Sequence, residues 1–373
     1  MITFDHVSKS FGDQEVVKDI SFTIESGELF VLIGLSGCGK TTTLRMMNRL
    51  EDLSSGRILV DEKDIKNEDV IRLRRNMGYV IQQTGLFPHK TVEENIGMIP
   101  ELEGMEKAKR QEIAKKWMEM VGLSYEDYKD RYPSELSGGQ SQRVGVARAL
   151  ATDPDIILMD EPFSALDPIT RGDLQDELVE LHNRTKKTIV FVTHDMDEAV
   201  KIGDKICIMD EGKILQLDSP EEILKNPVNE FVSEFVGERR IWSNPDYIKV
   251  SDLMITNVIA SYPEFTVFQG LNKMRQNHVD TLMIVERGSR KFKGVVTLRD
   301  ALTEKNRKRP LGEMAEEPYT SLKRDDTLPH VMEIFRDQDL SYAPVLDENR
   351  CLLGLLTRSK LVYELSNQYK EEN

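Results

Sequence analysis

Cysteine is nearly missing from this 373-residue chain: Cys38, Cys207 and Cys351 lie far apart, and no CxxC spacing occurs. That excludes a disulfide framework and a zinc-finger type of site, and reads as three reduced thiols. Also missing is any apolar run near the ~18 residues that a bilayer span needs, so the chain is not expected to cross a membrane itself. The opening MITFDHVSKSFG has no basic segment followed by an apolar one, and no secretory leader is expected. Positive charge is in deficit as well. Net charge is −15, and the imbalance sits in front: residues 1–240 hold 31 Lys+Arg against 45 Asp+Glu, whereas residues 241–373 hold 19 against 20. Such a field repels a nucleic-acid backbone, so nucleic acid is not an expected partner.

What is present suits two or three globular domains: 39% apolar and 31% charged residues over a length well beyond one ordinary domain. ELFVLIG (28–34) is an apolar run that breaks at glycine and is followed by the helical spacing of TTTLRMMNRL (41–50). DIILMD (155–160) and TIVFVT (188–193) are short β-branched-rich runs, each followed by a helical pattern. Runs of this kind are buried parallel strands of an α/β sheet. Residues 105–149 carry mostly helical patterns and predict a helical insertion, in which Trp117 and the methionines between 98 and 120 read as helix core. ICIMDEGKILQL (206–217) predicts a hairpin turning at Glu211-Gly212, and SPEEILKNP a capped helix ending before Pro227.

Beyond residue 240 an internal repeat emerges: GVVTLRDAL from Gly294 aligns with GLLTRSKLV from Gly354, and the segments before them match in kind. Each copy reads as strand, turn, strand, helix. KNRKRP (305–310) lies between the copies and reads as a solvated linker.

Two stretches carry chemistry. GLSGCGKT (34–41) fits G-x-x-x-x-G-K-[ST] between a strand and a helix. Gly34, Gly37 and Gly39 let backbone N–H groups of Ser36, Cys38 and their neighbours wrap phosphates, Lys40 reaches the β- and γ-phosphates, and the Thr41 hydroxyl suits Mg²⁺, with Thr42 beside it. DIILMDEP places Asp160 at the end of a buried strand, where it suits the Mg²⁺ shell, and Glu161 one residue on, where it can orient or deprotonate a water. A second anion site is suggested by SELSGGQSQR, where Ser137, Gly138, Gly139 and Gln140 open a helix whose first N–H groups are free.

In this order, Phe11, the phosphate loop, Gln82 in YVIQQTGLFPH, LSGGQ from Leu136, ILMDE, SALD from Ser164, and His194 in VTHD resemble the nucleotide-binding subunit of an ATP-binding cassette transporter. Departures are small: Ser141 stands where a second Gln is frequent, and Phe11 replaces the commoner Tyr. The resemblance implies an α/β phosphate-loop ATPase of 1–237, with a RecA-like parallel core, an antiparallel β subdomain and a helical subdomain at about 90–149. It implies ATP and Mg²⁺ as cofactors, Glu161 as general base, His194 on the γ-phosphate, Gln82 linking Mg²⁺ and water to the helical insertion, and Phe11 on adenine. It also implies a head-to-tail dimer, in which Ser137 to Gln140 and Asp167 of one copy complete the ATP site of the other.

The back part resembles a tandem CBS pair, 250–306 and 311–367, with Thr297, Asp300, Tyr342, Thr357 and Arg358 as candidate contacts for cyclic di-AMP or another adenine nucleotide. Together the two parts resemble the ATPase of glycine betaine, carnitine and choline importers. That implies a transmembrane permease, indirectly an extracytoplasmic substrate-binding protein, and a place on the cytoplasmic face of a bacterial membrane. The competing readings are a cassette ATPase of DNA repair or translation, and a nucleotide sensor with a vestigial ATPase.

Overall fold

The computed structural model describes residues 1–82, 85–237, 244–318 and 320–369, with the backbone alone for 366–369. Gln83 and Thr84 of YVIQQTGLFPH, and Tyr319 of the second repeat, lie outside the described residues. The chain divides into two compact units, Met1–Gly237 and Glu238–Asn373.

In the first unit, β1 (Ile2–Phe11) and β2 (Gln14–Ile24) pair antiparallel with Ile2 opposite Ile24 and Phe4 opposite Phe22. Alternation puts Ile2, Phe4, Ile20, Phe22 and Ile24 on one buried face. There Phe4, Phe22 and Phe30 stack at 4.5 and 5.4 Å between ring centroids, which joins this sheet to β3 (Leu29–Gly34). β4 (Ser55–Val60) and β5 (Lys63–Asp64) complete the antiparallel sheet, in the order β2-β1-β4-β5.

The second sheet adds β6 (Met77–Val80), β7 (Ile156–Asp160), β8 (Thr188–Thr193), β9 (Lys205–Asp210) and β10 (Lys213–Asp218) in the order β10-β9-β3-β8-β7-β6. All neighbours are parallel except β10, which turns back from β9 through Glu211 and Gly212 at φ 45° and 82°. Both central φ values are positive, as a type I′ hairpin requires. Every residue of β3, β7 and β8 is buried, because layers cover both faces, and the polar residues Asp160, Thr188 and Thr193 stand only at strand ends. Between β6 and β7 the helical insertion runs through helices Lys107–Met120 and Gly138–Leu150, with Trp117 and Met118 in its core. The ends of β3, β7 and β8 therefore lie side by side at one edge of the sheet, where an open α/β fold binds ligands.

In the second unit, β11 (Ala260–Ser261), β12 (Thr281–Val285) and β13 (Phe292–Thr297) form one sheet, and β14 (Tyr342–Leu346) and β15 (Leu352–Thr357) a second. The copies agree in register. Ile284 faces Gly294 in one hairpin and Val345 faces Gly354 in the other, and each pairing shifts one residue further along. Each hairpin ends in a threonine whose hydroxyl caps the next helix: Thr297 Oγ1 accepts from Asp300 N at 3.2 Å, and Thr357 Oγ1 from Lys360 N at 3.1 Å.

Candidate functional site

The phosphate loop leaves β3 at Gly34, where any Cβ would drive into the Met209 carbonyl and the Cys38 sulfur. Gly39 has φ 105°, and a Cβ there would come within 2.9 Å of the Val16 carbonyl. These two positions exclude every side chain for steric reasons. Lys40 opens helix Lys40–Met47, is only 5% exposed, and donates from Nζ to the carbonyls of Gly34 (2.8 Å) and Leu35 (2.9 Å). Its ammonium is therefore held across the loop by the loop's own backbone. Cys38 is buried beside it, and burial pushes its thiol pKa up. Ser36 and Gly37 stay exposed, and Thr42 lies in the first turn of the helix.

Thr41 Oγ1 donates to Asp160 Oδ1 at 2.8 Å, and Arg45, one turn further along the same helix face, lies 3.9 Å from Asp160 Oδ2. Burial raises the Asp160 pKa, while the Thr41 hydrogen bond and the Arg45 charge oppose the rise. Glu161 follows with φ 44°, a left-handed conformation that a non-glycine residue holds only where its surroundings impose it. Here Glu161 N donates to Val192 O at 3.0 Å, which ties the bend after β7 to β8. The Glu161 carboxylate accepts from Gln82 Nε2 at 3.3 Å and lies 3.3 Å from His194 Nδ1. Lys40, Thr41, Asp160, Glu161, Gln82 and His194, drawn from four stretches of chain, thus form two linked groups.

Other residues sit apart from this cluster. Ser137 caps helix Gly138–Leu150 by accepting from Gln140 N at 3.3 Å, and Ser137 N donates to Gln140 Oε1 at 2.9 Å. Gln140 Nε2 also donates to Tyr128 OH at 3.1 Å, so its amide is occupied at both ends. Among the described residues no hydrogen bond joins Ser137–Gln140 to the phosphate loop. Asp167 caps helix Pro168–Thr185 through the Thr170 N–H at 3.1 Å, and the Thr170 side chain together with that N–H holds its carboxyl below the usual range. Phe11 ends β1, 47% exposed, with Lys9 Nζ 4.5 Å above its ring.

In the second unit, Thr297 donates to the Asp300 carboxylate, and Tyr342 lies opposite Thr357 across β14 and β15. Burial raises the Tyr342 pKa, and the charges of Asp300 and Glu316 add to the rise. Arg358 is paired to Asp339 at 2.8 Å, and Lys360 to Glu364. A groove of about 490 Å³ is lined by Asp300, Glu304, Lys305, Arg309, Glu313 and Glu316 among others.

Sequence reading missed Arg45, Tyr128, Arg171 and Glu198. Arg45 was within reach, since it stands four residues after Thr41 in a helix, but the other three each meet a partner on another element, Tyr128 with Gln140, Arg171 with Asp195 and Glu198 with Gln175.

A parallel sheet that closes β3 with a lysine-filled glycine loop and β7 with two adjacent carboxylates is built to hold a nucleoside triphosphate, which places the first unit among the phosphate-loop ATPases. The family pattern described as ABC transporter matches residues 17–164, and that of the CBS domain matches residues 250–306 and 311–367. The carnitine transport ATP-binding protein OpuCA of Listeria monocytogenes is 43% identical over 364 residues, covering 97% of this chain and 91% of that protein. The glycine betaine/carnitine/choline transport ATP-binding protein OpuCA of Bacillus subtilis is 45% identical over 366 residues, covering 97% and 95%. Among solved structures, the dimeric post-hydrolysis ATP-binding cassette MJ0796 bound to ADP and Pi is 32% identical with a TM-score of 0.54, covering 59% of this chain and 99% of that one. This chain belongs to the ABC transporter family, as an ATP-binding protein with two CBS domains. No helix among its described residues is long and apolar enough to cross a membrane.

Proposed function

We propose that the chain hydrolyses ATP to energise import of a quaternary-amine compatible solute, glycine betaine, carnitine or choline, through a permease at the cytoplasmic face of the membrane. An extracytoplasmic binding protein delivers the solute. The observation that carries the hydrolytic part is the Glu161 carboxylate, gripped by Gln82 and His194 beside the Thr41–Asp160 pair. The cargo class rests on likeness to carnitine and betaine transport proteins along 97% of the chain.

In this reading the loop N–H groups from Gly34 to Thr42 and the Lys40 ammonium bind the phosphates, and Phe11 stacks on adenine. Glu161 orients the attacking water and takes its proton. Gln82 and His194 fix the carboxylate, and His194 also contacts the γ-phosphate. The donor set fits Mg²⁺: a hydroxyl and a buried carboxylate lie 2.8 Å apart, with Gln82 near by, and all are hard oxygen ligands. When bound, the ion neutralises charge on the phosphate oxygens. A second copy supplies Ser137, Gly138, Gly139, Gln140 and Asp167. The Ser137 hydroxyl accepts within its own helix cap, which leaves its proton to donate to a phosphate, and this supports the composite site.

The repeats of the second unit, in the same reading, bind cyclic di-AMP or another adenine nucleotide through Thr297, Asp300, Tyr342, Thr357 and Arg358, and regulate transport. The test is uptake by the chain reconstituted with its permease, with ATP inside and labelled glycine betaine, carnitine and choline offered in turn. ATP-dependent uptake of at least one is expected. Hydrolysis with no uptake of any of the three overturns the cargo class.

A further inference from the structure

Behind Glu161 and His194 lies a polar network that the mechanism above leaves unused. Asp167, the N-cap of helix Pro168–Thr185, is followed at four-residue spacing by Arg171 and Gln175 on one stripe of that helix. Gln175 Nε2 donates to Glu198 Oε1 at 3.1 Å, and the other Glu198 oxygen accepts from the Thr193 hydroxyl. Thr193 Oγ1 in turn accepts from Asp195 N at 3.0 Å. The His194 backbone is thus bracketed on both sides.

Arg171 joins this bracket to a second loop. Its Nη2 donates to the Leu166 carbonyl at 3.0 Å, one residue before Asp167, and its Nη1 lies 3.8 Å from Asp195 Oδ2, one residue after His194. Its Nε is buried without a partner, and Arg171 borders a cavity of about 30 Å³ lined by Glu161, Ser164, Thr193, His194 and Glu198 among others. A planar fork spans two acceptors on two loops, which a point cation such as lysine does not reproduce.

We propose that Arg171 is a positioning residue that couples the Ser164–Asp167 loop to His194, so that a second copy seated against Asp167 sets the imidazole beside Glu161. This rests on the dimeric hydrolytic reading above. Both grips lie one residue from a residue with a role in that reading, and among the described residues no other side chain of the network is hydrogen-bonded or ion-paired to both loops. Displacement of Leu166 by a partner therefore reaches His194 through one rigid group.

The test measures steady-state ATP hydrolysis by the full chain, with fluorescent-ATP binding and thermal unfolding alongside. For Arg171→Ala, kcat falls roughly tenfold or more while KM for ATP stays within about twofold, and added guanidinium restores part of the loss. Arg171→Lys lies between. Asp195→Asn keeps the helix cap but loses the charge, and shows a smaller fall in kcat. The Arg171→Ala/Asp195→Asn double variant is no slower than Arg171→Ala alone, since both act on one linkage. Unchanged kcat in Arg171→Ala overturns the proposal, and so do losses that add in the double variant. A parallel loss of ATP binding and thermal stability without guanidinium rescue assigns Arg171 a structural role and also overturns it. If Arg171→Ala does not fold, Arg171→Lys and Asp195→Asn decide the matter. Glu161→Gln in the same assay separates the two readings: full activity there sinks the hydrolytic reading, whereas its loss beside an unaffected Arg171→Ala sinks only the coupling.

Discussion

The two units use charge in opposite ways. In the first, Asp160 is 5% exposed and Lys40 likewise; Asp160 ends β7, Lys40 opens the helix that follows the β3 loop, and neither strand has an exposed residue. In the second, the candidate ligand residues are already engaged at the surface: Asp300 with Thr297 and Arg358 with Asp339. Burying a charge is costly unless a partner compensates it, so the first unit holds its charges in an arrangement that a triphosphate completes. Exposed pairs contribute only about 0–1 kcal/mol each and exchange easily for an incoming anion. A motif on buried, preset groups names its ligand; a motif on exposed, self-paired groups names only its turn.

The largest effect that tests this contrast belongs to Glu161→Gln. Gln keeps the contact to His194 but removes the base, so turnover falls by roughly 10²- to 10⁴-fold while ATP binding persists. Steady-state hydrolysis beside nucleotide binding checks it. Next come the two crowded glycines. Gly34→Ala strikes the Met209 carbonyl, and Gly294→Ala, at φ 143°, comes within 2.8 Å of the Glu316 carbonyl. Each is expected to cost roughly 3 kcal/mol. Unit-resolved proteolysis with an ATPase assay separates them: Gly34→Ala loosens the first unit and abolishes ATP binding, whereas Gly294→Ala loosens the second and leaves hydrolysis near wild type.

The same contrast explains what was legible. Gly34, Gly39, Lys40 and Thr41 announce themselves because backbone approach and phosphate charge permit few other residues at that spacing. The Glu211-Gly212 turn was legible for a similar reason, since two positive φ values favour such a pair. β3, β7 and β8 read as buried strands because burial on both faces leaves unbroken apolar runs. The sheet order β2-β1-β4-β5 was not legible, since β1 and β2 alternate as many half-buried strands do and nothing local names their neighbours. Arg171 and Tyr128 were not legible either, because a lone arginine or tyrosine on a helix carries no mark of a partner such as Asp195 or Gln140 on another element.

A smaller effect is expected from Arg358→Ala. Releasing Arg358 from Asp339 costs little at 48% side-chain exposure, and a guanidinium grips phosphate oxygens in pairs. Calorimetric titration of the full chain with cyclic di-AMP should show saturable binding that weakens roughly tenfold in the variant, about the worth of one charge-assisted contact. ATP and AMP are titrated in a Lys40→Ala background, which silences the first unit. Absence of saturable heat with all three removes the nucleotide reading and leaves the second unit without a proposed ligand.

The smallest effect is a difference in sign with pH. Burial raises the pKa of Asp160, so the folded chain holds that proton more tightly than the unfolded chain does. The penalty of its charged form is present at neutral pH and is relieved as pH falls through the raised value. Glu286 is the reverse case: Lys293 at 2.6 Å and the Ser289 hydroxyl hold its carboxyl below the usual range. Its contribution is present above the unfolded pKa and is lost as pH falls through the depressed folded value. Asp160→Asn should therefore stabilise the nucleotide-free chain near neutral pH, with the gain shrinking toward about pH 4. Glu286→Gln should destabilise it near neutral pH, with the loss vanishing in acid. Denaturant midpoints of the wild type and both variants, taken at about pH 7 and about pH 4, give the two slopes. A loss of stability in Asp160→Asn at neutral pH would mean that Thr41 and Arg45 outweigh burial at that carboxylate, and that its charge, like those of the second unit, is satisfied before any nucleotide arrives.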